Sequence, residues 1–134
     1  MPPTVRHNDQ TETVPLIDAA NVIGSRPTGW WRDRPGAAKS FVDQVRIASE
    51  AGHLTDPVIV LEGKFRSGVP AGVVDSVQVI HAPGSGDEKM IEVISDASDP
   101  VTLVTADREL RRRAEAIGAE VVGPSWLLEI LDQS

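Results

Sequence analysis

Five short apolar runs dominate the sequence: VPLID (14–18), PVIVLEG (57–63), VQVIHA (77–82), VTLVTA (101–106) and AEVVG (119–123). Longer segments of helical spacing separate them, and strands alternating with helices form a parallel sheet covered on both faces. The runs show little of the apolar–polar alternation of a half-exposed strand, as expected of strands buried on both sides. The chain is therefore expected to be α/β. Its 134 residues suit one domain, placed at 14–134, and the polar, proline-bearing start MPPTVRHNDQTET is expected to be a poorly ordered tail over 1–13.

Buried stripes place the helices. Ala38, Phe41, Val42, Val45 and Ala48 recur at spacings of three and four, with Asp33 and Pro35 as start signals and Gly52 as a stop. A second helix is expected over 87–97, with Met90, Ile91, Ile94 and Ala97 inward and Ser85 and Glu88 spaced as a capping box. A third runs over 107–117, burying Leu110, Ala114 and Ile117 and ending at Gly118, and a short helix follows at 125–131. The segment RSGVPAGVVDS (66–76) has two glycines, a proline and no period, and reads as a loop.

In open parallel sheets, ligands bind outside the carboxyl ends of the strands. Here those positions are acidic: Asp18 ends the first run, Glu62 the second, Asp107 follows the fourth, and Asp87 opens the helix before it. Acids gathered at one edge repel one another unless a cation neutralises them, and oxygen-only ligands select Mg2+ or Mn2+. A one- or two-metal site requires Asp18, Asp87 and Asp107 to converge within about 4–8 Å. Asp87 precedes Met90 and Ile91 by three and four residues and so projects from the core side of its helix, whereas Glu88 points elsewhere. Taken singly, Asp87 or Asp107 reads as an acid in a helix's first turn, where the helix dipole favours it. Asp18, three residues before Asn21, has no such structural reason and needs a partner. Thr105 is either a support for the site or a helix N-cap. The absence of cysteine excludes disulfides, thiol catalysis and cysteine-based zinc sites.

Together LIDAANVIG, GDEKMIE and VTLVTADRELRRRAEAIGAEVVG resemble the PIN-like nuclease superfamily, and within it most the NYN branch, which includes bacterial ribonucleases of this size. The resemblance runs from about Val14 to Leu131. It implies a three-layer α/β/α fold with a five-stranded parallel sheet of order 3-2-1-4-5. It also implies an acidic pocket that binds Mg2+ or Mn2+ for hydrolysis of RNA phosphodiester bonds. By position it assigns catalytic roles to Asp18, Asn21, Asp87 and Asp107, with Asp18, Asp87 and Asp107 as metal ligands and Glu88 as a further candidate. Relatives often carry another acid on the first long helix. The candidate here, Asp43, lies off that helix's apolar stripe and is left out of the site.

Charge refines the expectation. A net charge of −7 disfavours a protein that grips nucleic acid by bulk positive charge. Yet ten of the thirteen basic residues fall in three groups, each after the carboxyl end of an expected strand: Arg26, Arg32, Arg34 and Lys39; Lys64 and Arg66; Arg108, Arg111, Arg112 and Arg113. Arg34, Lys64 and Arg108, with Thr105, are expected to contact RNA phosphates. Arg113 is expected either there or on a solvated face beside Glu109 and Glu115. Trp30 and Trp31 either stack on bases or pack their loop onto the domain. His7, His53 and His81 share no spacing with the acids. No run approaches the roughly 20 apolar residues of a membrane span, and a cytoplasmic location is expected.

The leading expectation is thus a metal-dependent endoribonuclease acting on single-stranded or loop RNA. The same acids would serve a nucleotide pyrophosphohydrolase or another small phosphate-ester hydrolase. A degenerate RNA- or protein-binding domain would keep the fold without the catalysis. RNA is the expected partner; a homodimer and a protein partner stay open.

Overall fold

The computed structural model describes residues 13–134, so the expected tail lies, Thr13 apart, outside the described residues. Along the chain come β1 (Val14–Asp18), α1 (Ala19–Gly24), α2 (Arg34–Glu50), β2 (Val58–Leu61), β3 (Gly72–Val74) and β4 (Val77–His81). They are followed by α3 (Gly86–Asp96), β5 (Val101–Val104), α4 (Arg108–Ala116), β6 (Glu120–Val122) and α5 (Pro124–Asp132). Five strands are parallel in the order β4-β2-β1-β5-β6, which is 3-2-1-4-5 counted along the apolar runs.

The sheet differs from expectation at one edge. The segment read as a loop contains β3, which pairs antiparallel with β4 and makes the sheet mixed and six-stranded. Val74 pairs with Val77 across a two-residue turn in which Asp75 and Ser76 have φ of 52° and 67°, as a type I′ turn requires. The usual Asn-Gly signal is absent and all three strand residues are exposed, so neither turn chemistry nor hydrophobic period marks this strand.

Alternate residues of the central strands face opposite sides of the sheet. Ile17, Ile59, Leu61 and Val104 pack against Phe41, Val42 and Val45 of α2 and Leu127 and Leu131 of α5. Leu16, Val60 and Leu103 pack against Met90 and Ile94 of α3 and Leu110 and Ala114 of α4. The result is the expected α/β/α sandwich, in which each fully buried large side chain contributes about 1.5–3 kcal/mol.

Helix ends follow local chemistry. Asp33 Oδ1 accepts the Gly36 N–H at 3.0 Å with Pro35 in the first turn, and Ser85 Oγ accepts the Asp87 N–H at 3.1 Å. The second half of the capping box is not formed, because Glu88 turns to Arg113. Ile117, expected in the buried stripe of α4, is 46% exposed. The helix has ended at Ala116, and Gly118, at φ 94°, turns the chain away before Ile117 can join the stripe.

Two 3-10 turns, Trp30–Arg32 and Gly63–Gly68, lie beyond α1 and β2, at the carboxyl edge. Gly68 sits against the Pro35 carbonyl, where any side chain would overlap it, and this docks the start of α2 onto the second turn. Among the described residues no helix is long and apolar enough to cross a membrane.

Candidate active site

From β1 the sheet extends to β2 and β4 on one side and to β5 and β6 on the other, which makes the β1–β5 boundary its switch point. Asp18 closes β1 there and is only 5% exposed. Its Oδ2 accepts the Thr105 hydroxyl at 2.8 Å, and its Oδ1 accepts the Asn21 N–H at 3.4 Å, capping α1. Asn21 Oδ1 in turn accepts the Ala106 N–H at 2.8 Å, and Thr105 Oγ1 accepts the Asp107 N–H at 3.1 Å. The end of β1 is thus tied to the segment leaving β5.

Thr105 is fully buried within this network. Its hydroxyl supports Asp18 and is out of reach of an RNA phosphate, contrary to the expectation of a direct contact. The cap of α4 is Asp107, whose Oδ1 accepts the Leu110 N–H at 2.9 Å.

The acids at this edge act on one another. Burial raises the Asp18 pKa to about 6, against the lowering effect of the Thr105 and Asn21 hydrogen bonds, and Glu62 and Asp87 add repulsion. Burial and Asp87 also raise Glu62, one residue past β2, while the Gly86 N–H pulls it back. A side chain at Gly86 would overlap that carboxylate, so glycine permits Glu62 to lie on the start of α3. Asp87 is raised by burial and then by Asp107, with Arg113 opposing. Four acids from separate segments share one electrostatic neighbourhood, and among the described residues none of the ion pairs includes them. Glu62 was legible as a strand-closing acid, but the family pattern gave it no role.

Asp18, Asp87 and Asp107 do not form a closed three-ligand cage. Among the described residues no three histidines, aspartates or glutamates stand close enough together to hold one ion. Local donors claim three of the four carboxylates: the Thr105 hydroxyl for Asp18, the Leu110 N–H for Asp107 and the Gly86 N–H for Glu62. Glu88 is paired with Arg113 at 2.9 and 3.3 Å. Asp43 is bound to Lys39 at 2.9 Å on the outer face of α2.

The basic residues divide. Lys64 is exposed on a shallow concavity with Arg66, Ser67 and His81, beyond the ends of β2 and β4. Arg108 is exposed at the first turn of α4, next to Asp107. Arg34 lies over the Trp30 ring, 5.3 Å from its centre, and Arg112 pairs with Glu109. Arg113 meets Glu88, not Glu109 or Glu115. Trp30 packs on Phe65 at 6.1 Å, while Trp31 stands edge-on to it at 5.7 Å and is 49% exposed. His81 bonds to the Val69 carbonyl and His53 to Ser134, and His7 lies outside the described residues.

No family model and no curated protein matches this chain. Solved structures do. Two crystal structures of Rae1 (YacP) from Bacillus subtilis, one of them a mutant, align with a TM-score of 0.73 over 91% of this chain. The match covers 76% and 75% of those chains at 15% and 16% sequence identity. Likeness at that level is one of fold, and it agrees with the α/β architecture that the PIN-like resemblance implies.

Proposed function

We propose that this chain is an endoribonuclease that hydrolyses phosphodiester bonds of single-stranded or loop RNA at the β1–β5 edge, with Mg2+ or Mn2+ as cofactor. Asp18 carries the reading: a carboxylate 5% exposed at the switch point, bonded only to a hydroxyl and an amide N–H, and facing acids instead of a cation. The donor chemistry fits a hard divalent ion. Burial and acid–acid repulsion push Asp18, Glu62 and Asp87 toward protonation, and a cation among them would reverse the repulsion. Mg2+ keeps several waters and needs one or two carboxylates plus substrate phosphates, so an open set suits it better than a closed cage.

Asp18 would hold such an ion, with Asp87 or Glu62 beside it and Asp107 nearby. When bound, it supplies Lewis-acid activation of the phosphoryl group and of the attacking water. The chain's own residues do the rest. Thr105 fixes the orientation of Asp18. Asn21 has its Oδ1 engaged by Ala106, which leaves its amide NH2 to donate to a phosphate oxygen. Lys64 and Arg108, exposed on either side of the acids, position the backbone.

The substrate class is tested with the wild-type protein and Mn2+, offered either a mixed RNA pool or nucleoside triphosphates. RNA fragments are expected, with no release of phosphate or pyrophosphate from the nucleotides. Release from nucleotides with intact RNA contradicts the proposal and favours a small phosphate-ester hydrolase.

A further inference from the structure

We propose that the cavity between α1, α2 and α5 seats one unpaired base of the RNA substrate; this rests on the endoribonuclease reading. The cavity has a volume of about 470 Å³ and is lined by Ile23, Arg26, Trp30, Ser40, Phe41 and Gln44, among others. Specific small-molecule pockets run from about 300 to 1,000 Å³, apolar in the main with a few polar groups that fix orientation. Ile23 and Phe41 supply an apolar floor, and Ser40 and Gln44 supply polar atoms at its rim. Ser40 and Gln44 are four residues apart on α2 and therefore lie on one face. The Gln44 amide offers a donor and an acceptor side by side, the pattern a base edge presents.

The aromatic wall is ordered in advance. Trp30 is held by Phe65 at 6.1 Å, by Trp31 at 5.7 Å and by the Arg34 guanidinium at 5.3 Å. An indole fixed in this way is a cavity wall whose ordering needs no further entropy loss. Arg26 is held at the rim by Asp132 at 2.7 Å. The acid in the lining, Asp33, is already engaged by the Gly36 N–H.

Position and charge select the occupant. Val22, on the wall, follows Asp18 by four residues, about 6 Å along a helix axis. The cavity therefore begins about one helical turn from Asp18. Arg26, Arg32 and Arg34 gather around this loop in a chain of net charge −7, which suits a polyanionic strand crossing here and not an acidic protein surface generally.

The test measures binding of fluorescein-labelled RNA ten-mers to the wild-type protein in EDTA, using the four homopolymers and an abasic ten-mer with the same number of phosphates. At least one homopolymer should bind about tenfold more tightly than the abasic strand, as one seated base implies. Ser40→Trp, which fills the cavity, should bring that homopolymer to the abasic level and leave the abasic strand unchanged. Gln44→Ala removes atoms instead of adding them and should narrow the differences among the four, which guards against misfolding of the bulky variant. Equal binding of abasic and natural strands, or equal weakening of both by the variants, overturns the base subsite. If the wild type still cleaves RNA with Mn2+, the endoribonuclease reading survives that result. Absence of both binding and cleavage overturns the two together.

Discussion

Asp18 is buried as an acid and held by neutral donors, so its ionisation works against folding when no cation is bound. The folded chain raises its pKa from 3.8 to about 6 and so binds that proton more tightly than the unfolded chain does. In EDTA, stability should fall as pH rises from about 4 to about 6 and stay lower above that. The loss is about 3 kcal/mol, from roughly 1.4 kcal/mol per pKa unit. Asp18→Asn should remove the fall: urea unfolding should find the variant more stable than wild type at pH 7.5 and close to it near pH 4. A variant less stable at pH 7.5 would show that the charge is compensated in the native state. Thr105→Val deletes a hydrogen bond that lowers the Asp18 pKa, so the Asp18 carboxyl should titrate higher still by NMR, with a stability loss of about 1–3 kcal/mol. Asp18, Asn21 and Asp107 were legible in the sequence because each stands at the end of an apolar run or just past it. Glu88 was not, because its choice between the Ser85 cap and Arg113 depends on how α3 packs beside α4.

The parallel strands were readable because strands buried on both faces leave continuous apolar runs, whereas β3 is short, exposed and joined by a turn without glycine. Helix α1 was missed for a related reason. Its six residues make less than two turns, too few for a period, and its N-cap is Asp18 itself. The docking of Glu62 on the start of α3 depends on Gly86, where a Cβ would meet that carboxylate. Gly86→Ala should therefore push the flexible end of Glu62 aside at little cost in stability, and the Glu62 carboxyl, moved out of its half-buried place beside Asp87, should titrate lower by NMR. An unchanged Glu62 titration would mean that Glu62 has no fixed place beside Asp87.

Across the molecule, an excess of acid coexists with Lys64 and Arg108 exposed beyond the ends of β2 and β5, and for the proposed activity this favours weak general affinity for RNA and dependence on a divalent ion. Mn2+ at a hundred times its dissociation constant should stabilise the native state by about 2.7 kcal/mol, seen as a higher melting temperature. The increase should be absent in Asp18→Asn. The same residue decides the central claim most directly through catalysis. With 5′-labelled single-stranded RNA, the wild type should produce fragments in Mn2+ and none in EDTA. Asp18→Asn and Asp107→Asn, each shown to be folded, should lose activity by about a hundredfold or more. Cleavage that persists in EDTA, or in folded Asp18→Asn, would contradict a metal-dependent site at the β1–β5 edge.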